Sequence, residues 1–345
     1  MVQNERMPPA EPLPAPRQMS GVRPAARDGL SILICRPNTR LGNTLLMTPL
    51  IEEIEATLPK ARVDVLSACP AAQEVFQAFP SVQRVHQLPF RGVRHPLRYL
   101  FTLLRVRRIR YDVILDPIPN SWTARFLTRW LTGRVKIGFE RARGQQGVDV
   151  SIPFQGAPRH MGAHPVYLLR RTLLDLEPDT ARTDDAKLSI RLDAAERAGG
   201  REQLERLIGA AQTGPVVAVA THATGAKRFP VEWWRGMIRE LQVRLPCARI
   251  IEIRPPGGAA ALPEHPGYAS ARVREVAALI QEVTCFVCAD SGLMHLGAAT
   301  DTLTVGLFKV TVPERYAPRR GKSCAVTARD EAPGEVAERI TQLLA

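Results

Sequence analysis

The chain has 345 residues, of which 45% are hydrophobic and 23% are charged. That length favours two domains over one, and the composition is typical of a soluble globular protein. No run approaches the roughly 20 apolar residues that a membrane-spanning helix needs. The formal net charge of +13 points to an anionic partner. Nucleic acid, an anionic membrane and a phosphorylated substrate all fit that charge.

The first 28 residues are rich in proline and contain no apolar core segment, which predicts a disordered lead-in and not a secretory signal. Several of the six cysteines lie in apolar runs, which favours buried thiols in a reducing cytosol. Cys285 and Cys288 form a C-x-x-C inside a predicted strand, where positions three apart face opposite sides. We interpret them as core residues and not as metal ligands.

Residues 29–205 alternate short β-rich apolar runs with longer helical patterns, which predicts a parallel sheet covered by helices on both faces. The strands are predicted at 30–35, 62–67, 84–88, 112–116 and 135–139. The helices are predicted at 43–58, 71–79, 95–108, 121–131 and 164–176.

The helix predicted at 95–108 is strongly basic. No carboxylate occurs from Val75 through Tyr111, whereas many arginines do, including Arg105 and Arg108. Its apolar residues share one helical face: Leu97, Leu100, Phe101 and Leu104. A basic amphipathic helix of this kind suits an anionic membrane surface. The alternative is a helix packed on the core, with an ordinary solvated arginine face.

The alternation restarts after a polar stretch, so we place an N-terminal domain at 29–205 and a C-terminal domain at 206–345. Its strands are predicted at 215–221, 249–253, 283–289 and 303–308, and its helices at 231–244, 271–281, 292–299 and 334–344. The last helix could pack on either domain. Doubly wound domains bind ligands at the carboxyl ends of their strands. The turns after Cys35, Thr221 and Ala289 are therefore expected to face one another.

The turn after Ala289 carries Asp290, Ser291 and Gly292 at a helix start, with His295 one turn later. Free backbone N–H groups and the helix dipole suit such a start to phosphate binding. In the alternative, Asp290 or Ser291 only caps the helix and His295 is an ordinary histidine.

The turn after Thr221 places Thr224 and a glycine just before Lys227. A lysine beside a loop of small residues is suited to a diphosphate. The alternative is a solvated loop with surface bases. The spacing excludes a Walker A loop.

The turn after Cys35 reads "RPNTRLGNTLLMTP". Arg36 and Arg40 flank a loop that ends at Gly42, and Asn43 stands where a helix N-cap is expected. Asparagine is among the best capping residues, so capping is the simplest interpretation.

Together, the three turns resemble the ADP-heptose:lipopolysaccharide heptosyltransferases, the ninth glycosyltransferase family. The family's "G-D-x-L-x-x-T-P" is matched by Gly42 through Pro49, with Asn43 in place of the aspartate. Its "K-R-W-P-x-x-x-[WF]" is matched by "KRFPVEWW", and its "D-[TS]-G-x-x-H" by Asp290 through His295. The resemblance covers about residues 29–345.

The resemblance implies a GT-B architecture, in which two facing doubly wound, Rossmann-like domains enclose a cleft. It implies an inverting, metal-independent transfer of a heptose-like sugar from ADP-heptose to a lipopolysaccharide-core or related saccharide. The nucleotide sugar is then a substrate, and no cofactor is expected. We expect a monomer. Nucleic acid is not expected as a partner, because no zinc-finger, RRM or helix-turn-helix signature is present. A lipid-linked acceptor implies a cytoplasmic protein at the anionic surface of the inner membrane.

The resemblance also assigns residues to the two substrates. The C-terminal domain is expected to bind the donor through Thr221, Thr224, Lys227, Asp290, Ser291, Gly292 and His295. The N-terminal domain is expected to meet the acceptor through Arg36, Arg40, Gly42, Arg105 and Arg108. By its position in the chain, Glu252 is a candidate ribose ligand.

Asn43 is the main departure from the family. An inverting transferase needs a base for the acceptor hydroxyl, and an amide is not basic at neutral pH. Three alternatives follow. Asp116 or His164 faces the cleft and serves as the base; Asn43 only orients the acceptor while the proton leaves to water or phosphate; or the chain binds a sugar nucleotide without catalysis. A second departure is "LFKVTVPE", where Lys309 and Val310 change the loop over the donor.

Overall fold

The computed structural model describes residues 29–344 except 91, 142–146, 183–185, 210–213 and 330. The predicted lead-in at 1–28 lies outside the described residues. The described part of the chain forms two six-stranded sheets in which all strand pairs are parallel. This confirms the predicted α/β fold of two doubly wound domains. No helix within these ranges is long and apolar enough to cross a membrane.

The N-terminal sheet has the strand order β3-β2-β1-β4-β5-β6. Its strands are β1 Ser31–Arg36, β2 Arg62–Ser67, β3 Val82–Gln87, β4 Tyr111–Asp116, β5 Gly133–Phe139 and β6 Val150–Ile152. The order reverses between β1 and β4, which creates the crevice where such sheets bind ligands. Helices cover both faces, so β1 is apolar almost throughout and its residues from Ile32 to Cys35 are fully buried.

The helices of this half are α1 Leu41–Leu45, α2 Thr48–Thr57, α3 Ala72–Phe76, α4 Pro96–Arg107, α5 Trp122–Trp130, α6 Ala163–Thr172 and α7 Pro178–Ala181. The single helix predicted at 43–58 is wrong, because α1 and α2 are separate. Pro49 has no N–H with which to continue the helical bonding to Leu45. The hydroxyl of Thr48 donates to the Leu45 carbonyl oxygen instead, at 2.8 Å.

The C-terminal sheet repeats the same order as β12-β11-β10-β7-β8-β9. Its strands are β7 Val216–Ala220, β8 Arg249–Arg254, β9 Gly267–Ala269, β10 Cys285–Ala289, β11 Leu303–Phe308 and β12 Cys324–Thr327. Its helices are α8 Ala194–Ile208, α9 Val231–Arg244, α10 Val273–Gln281, α11 Gly292–Ala298, α12 Pro313–Tyr316 and α13 Pro333–Leu344. Cys285 and Cys288 are buried in separate core clusters on the two sides of β10, as predicted.

Two helices show how the chain divides around position 205. Helix α8 precedes that position for most of its length, yet it packs on α10. Gly200 permits the contact, because a Cβ there would lie 2.3 Å from the Ala278 carbonyl oxygen. The last helix, α13, packs on α9 of the C-terminal half. The apolar side chains of Val336 and Ile340 are buried in the same cluster as Trp234.

Candidate active site

A cavity of about 750 Å³ lies where the two sheets face each other. Its walls come from the turns after β1, β7 and β10, as predicted from the sheet topology. These turns and the helices that follow them contribute nine of the predicted site residues: Arg40, Gly42, Asn43, Thr224, Lys227, Asp290, Ser291, Gly292 and His295.

Helices α1 and α11 form the closest contact between the two domains beside this cavity. A Cβ placed on Gly42 would lie 2.5 Å from Cδ2 of His295, and one placed on Gly292 would lie 3.4 Å from the backbone nitrogen of Gly42. The first distance leaves no room for a side chain at Gly42, whereas the second is an ordinary van der Waals contact. Gly42 therefore lets α1 pack against His295, which positions Asn43 beside the start of α11.

Asp290 accepts hydrogen bonds from two side chains of the C-terminal domain. Its Oδ2 accepts a hydrogen bond from Lys227 Nζ at 2.6 Å and another from the hydroxyl of Thr311. The Asp290 side chain is 5% exposed, whereas that of Lys227 is 31% exposed. Since an ammonium group has three protons, Lys227 can hold Asp290 and still donate into the cavity.

The start of α11 lacks the cap that the alternative interpretation required. Ser291 is the N-cap residue, but no side chain accepts a hydrogen bond there. The Ser291 hydroxyl is itself buried and has no partner among the described residues. The interpretation of Asp290 or Ser291 as a simple cap is therefore wrong, and the first amides of α11 remain available to a ligand.

His295 contributes a neutral ring to the cavity wall. Burial lowers the pKa of this histidine to about 4, and Lys227 acts in the same direction, while Asp290 opposes both. The ring packs edge-on against Tyr316 with centroids 6.3 Å apart. At neutral pH it can accept or donate a hydrogen bond without carrying charge.

Asn43 does not cap α1, so that interpretation is wrong. The N-cap residue is Arg40, no side chain caps the helix, and Asn38 holds the turn that precedes it. Asn38 Oδ1 accepts from the Arg40 backbone N–H at 2.8 Å and from Asn43 Nδ2 at 3.0 Å. These bonds fix the Asn43 amide with its Nδ2 in use, and its Oδ1 makes no hydrogen bond with any described residue.

Asp116 does not face the cleft, and that expectation is wrong. Its carboxyl is fully buried and accepts a hydrogen bond from Arg125 Nε at 2.6 Å. Burial raises the pKa of Asp116, which Arg125 partly offsets. Arg36 lies beside this pair and does not line the cavity. Burial lowers the pKa of Arg36 to about 10, and its Nε has no partner among the described residues.

His164 is also remote from the cavity, so its assignment as a cleft-facing base is wrong. The ring is 2% exposed and its Nε2 donates to the Pro158 carbonyl oxygen at 2.8 Å. It packs edge-on against Phe154, with centroids 4.8 Å apart. Burial lowers the pKa of His164 to about 4. The surroundings are those of a structural core histidine.

Thr221 and Glu252 do not line the cavity. Glu252 is 1% exposed and accepts from the backbone nitrogens of Ala261 and Leu262 at 3.1 and 3.3 Å. Thr221 donates to the same carboxylate at 3.4 Å. Glu252 therefore fixes the loop after β8 and does not face the cavity as a ribose ligand would.

Several cavity residues were missed in the sequence: His222, Arg254, Ser270, Thr311 and Tyr316. Thr311 had a signal, since it lies in the segment that departs from the family pattern. Lys309 of that segment points elsewhere and donates to the Arg228 carbonyl oxygen at 3.4 Å. Arg105 and Arg108 lie on and just after α4, exposed and outside the cavity wall.

Comparison with known proteins places the chain in a family. The model of glycosyltransferase family 9 (heptosyltransferase) matches residues 102–342. The chain is 26% identical to lipopolysaccharide heptosyltransferase 3 of Escherichia coli K12 over 297 residues, covering 78% of this chain and 80% of that protein. It is 26% identical to lipopolysaccharide heptosyltransferase 1 of Pseudomonas aeruginosa over 302 residues, covering 78% and 79%.

Solved structures share the fold. A family 9 glycosyltransferase from Veillonella parvula superposes with a TM-score of 0.76 at 16% identity, covering 92% of this chain and 97% of that one. E. coli ADP-heptose lipopolysaccharide heptosyltransferase II gives 0.68 at 18% identity, covering 91% and 98%. The family match spans more than half of the chain and agrees with the geometry of the three turns. The chain therefore belongs to glycosyltransferase family 9, the heptosyltransferases, and is a glycosyltransferase.

Proposed function

We propose that this chain transfers a heptose-like sugar from ADP-heptose to a lipopolysaccharide-core or related saccharide, with inversion and without a metal ion. The observation that carries the proposal is the convergence of Asn43, Lys227 and Asp290 on one cavity between the domains. Family relatives named as lipopolysaccharide heptosyltransferases support the reaction class. Structural neighbours solved with ADP and with an ADP-heptose analogue support the donor.

The chemistry requires charge stabilisation at the donor diphosphate. The acceptor oxygen attacks the anomeric carbon from the face opposite the diphosphate, the bond from that carbon to the diphosphate oxygen breaks, and the acceptor hydroxyl loses its proton. Negative charge therefore develops on the departing nucleotide. Lys227 and the uncapped amides of α11 lie on the cavity wall, where they can stabilise that charge as preorganised donors.

The burial of two candidate bases bears on the three alternatives for removing the proton of the acceptor hydroxyl. Asp116 and His164 are buried away from the cavity, so neither can serve as the base. We propose that Asn43 Oδ1 accepts a hydrogen bond from the acceptor hydroxyl and orients it. The proton then leaves to water, because the departing diphosphate lies on the opposite face of the sugar. The competing function is a sugar-nucleotide-binding protein without turnover, and the amide at position 43 is the observation that favours it.

The test compares the wild type with Asn43→Asp, using ADP-heptose and a lipopolysaccharide-core acceptor and measuring ADP release and glycosylated product. We expect turnover by the wild type and an increase in kcat of about 10²-fold in the variant, because a carboxylate adds general-base catalysis. Asn38→Asp is the matched control, since it adds the same charge to the turn and still accepts the two hydrogen bonds. Nucleotide binding with turnover only in Asn43→Asp would favour the binding protein. Neither binding nor turnover in any form would contradict both functions.

A further inference from the structure

Two helices on one face of the N-terminal sheet expose large apolar side chains. In α4 the exposed fractions are 81% for Leu97 and 70% for Phe101, and in α5 they are 71% for Trp122 and 57% for Phe126. Leu100 and Leu104 are exposed on α4 as well. The alternative in which this face of α4 packs on the core is therefore wrong. We call these six residues the outer apolar face.

The two helices that carry the outer apolar face lie on the same side of the sheet. Leu103 and Val106 of α4 are buried in the same core cluster as Ala124 and Leu127 of α5, so both helices cover the same side of the sheet. The Arg107 guanidinium lies 4.5 Å from the centre of the Trp130 ring, which joins their C-terminal ends. Each helix follows a strand and runs back along the sheet. Its first turns, which carry Leu97 and Trp122, therefore lie at the cavity end of the domain.

The surroundings of the outer apolar face are strongly basic. Six exposed arginines lie on α4 or beside it: Arg94, Arg98, Arg105, Arg107, Arg108 and Arg110. None of them forms an ion pair with a carboxylate of the described residues. From Val75 through Phe139 the chain has only two acidic residues. Asp116 is buried, and Asp112 accepts hydrogen bonds from the backbone N–H and the hydroxyl of Ser31.

We infer that this surface docks on an anionic lipid bilayer. Arginines near such a surface are attracted to its negative potential, while leucine, phenylalanine and tryptophan side chains enter the boundary between headgroups and acyl chains. The arginines alone would not distinguish a membrane from a polyanion in solution. A soluble polyanion, however, would not require the exposed apolar side chains of Leu97 and Phe101. This inference deepens the proposed function and rests on it, because docking is useful to a chain that acts on a lipid-linked acceptor. Docking would hold the cavity next to a lipid-linked acceptor.

The test is co-sedimentation of the full chain with vesicles that contain 30% phosphatidylglycerol, compared with vesicles of phosphatidylcholine alone. We expect the wild type to sediment only with the anionic vesicles. Leu97→Ser/Phe101→Ser and Arg105→Glu/Arg108→Glu should each bind at least about tenfold more weakly. Raising the salt concentration should weaken binding of the wild type.

Matched controls carry the same chemical changes on exposed residues of the other domain. Arg197→Glu/Arg239→Glu repeats the charge reversal, and Val243→Ser removes an apolar side chain that is 75% exposed. These variants should sediment like the wild type. Unchanged binding by both outer-face variants, equal loss in the controls, or binding of nucleic acid in place of vesicles would overturn the inference. Co-sedimentation requires no turnover, so the outcome is independent of whether the chain transfers heptose.

Discussion

The two helix starts that meet at the cavity hold their polar groups in different ways. At α11, the Asp290 carboxyl group accepts hydrogen bonds from Lys227 and Thr311. At α1, the corresponding position is the neutral amide of Asn43, which Asn38 holds by a hydrogen bond of 3.0 Å. Under the proposed function, one wall presents charged groups to the donor, and the other presents only hydrogen bonding to the acceptor.

This difference indicates where catalysis is concentrated. An amide can orient a hydroxyl but cannot take its proton, so the acceptor wall adds positioning. A lysine and free backbone amides can stabilise the departing diphosphate. We therefore expect substitutions on the donor wall to cost more activity than equivalent changes elsewhere.

The largest effect is expected for Lys227→Met. Removing one preorganised donor to developing negative charge lowers kcat by about 10²–10³-fold, and steady-state kinetics with ADP-heptose would measure it. Lys309→Met is the matched control, because that lysine lies in the adjacent loop and donates to the Arg228 carbonyl oxygen outside the cavity. Equal losses in the two variants would show that general loss of positive charge matters, and not the placement of Lys227.

A smaller effect is expected for Gly42→Ala, which tests the contact between the two walls. The new Cβ would lie 2.5 Å from Cδ2 of His295, so either the His295 ring or the backbone of α1 must shift. A misplacement on the order of 1 Å can lower the rate about 10²-fold. We expect Gly42→Ala to lower kcat/KM by about tenfold, because the displacement that relieves the overlap is smaller than about 1 Å.

The control for Gly42→Ala is Gly199→Ala within α8. No atom lies within 4 Å of a Cβ at Gly199, so this change should leave kcat/KM unaltered. It should also stabilise the helix by about 0.5–1 kcal/mol. Wild-type kinetics for Gly42→Ala would show that the close approach of the walls is dispensable.

The sequence predicts the fold and the meeting of the three turns well, because strand-helix alternation brings the carboxyl ends of the strands to one edge. The sequence does not show whether the side chain of Asp116 faces the cleft or is buried. Both arrangements end a strand at the switch point, and the difference depends on Arg125 packing back over the carboxylate. The prediction that His164 faces the cleft was wrong for a similar reason, because its aromatic neighbours Phe139 and Phe154 come from other segments of the chain.

Local features were missed where the chain gives weak signals. The strands β6 and β9 have three residues each and β12 has four, which is too short for a clear pattern. Helix α8 is rich in alanine and charged residues, and the buried ones among its residues are Gly200 and Leu204. The role of Asn38 gives no clear signal, because Asn43 has the same side chain and lies closer to the apolar run, whereas Asn38 holds the turn through hydrogen bonds to Arg40 and Asn43.

The smallest effect concerns pH and a second contact between the domains. His160 Nε2 donates to the Ala317 carbonyl oxygen at 3.2 Å, and its Nδ1 accepts from the Gly162 N–H at 3.2 Å. Burial lowers the pKa of His160 to about 3, with Arg319 and His295 acting in the same direction. The pKa in the unfolded chain is about 6.5. Between these two values the unfolded state binds one more proton than the folded state.

Folding stability should therefore fall as the pH drops below about 6.5, and His160 should contribute up to about 1.4 kcal/mol per pH unit down to pH of about 3. Glutamine at this position can still donate and accept but does not titrate. His160→Gln should thus reduce the pH dependence of the urea midpoint below pH 6.5, while changing it little at pH 7.5. A variant that keeps the full acid sensitivity would assign that sensitivity to His164 and His295, whose pKa values burial also lowers to about 4.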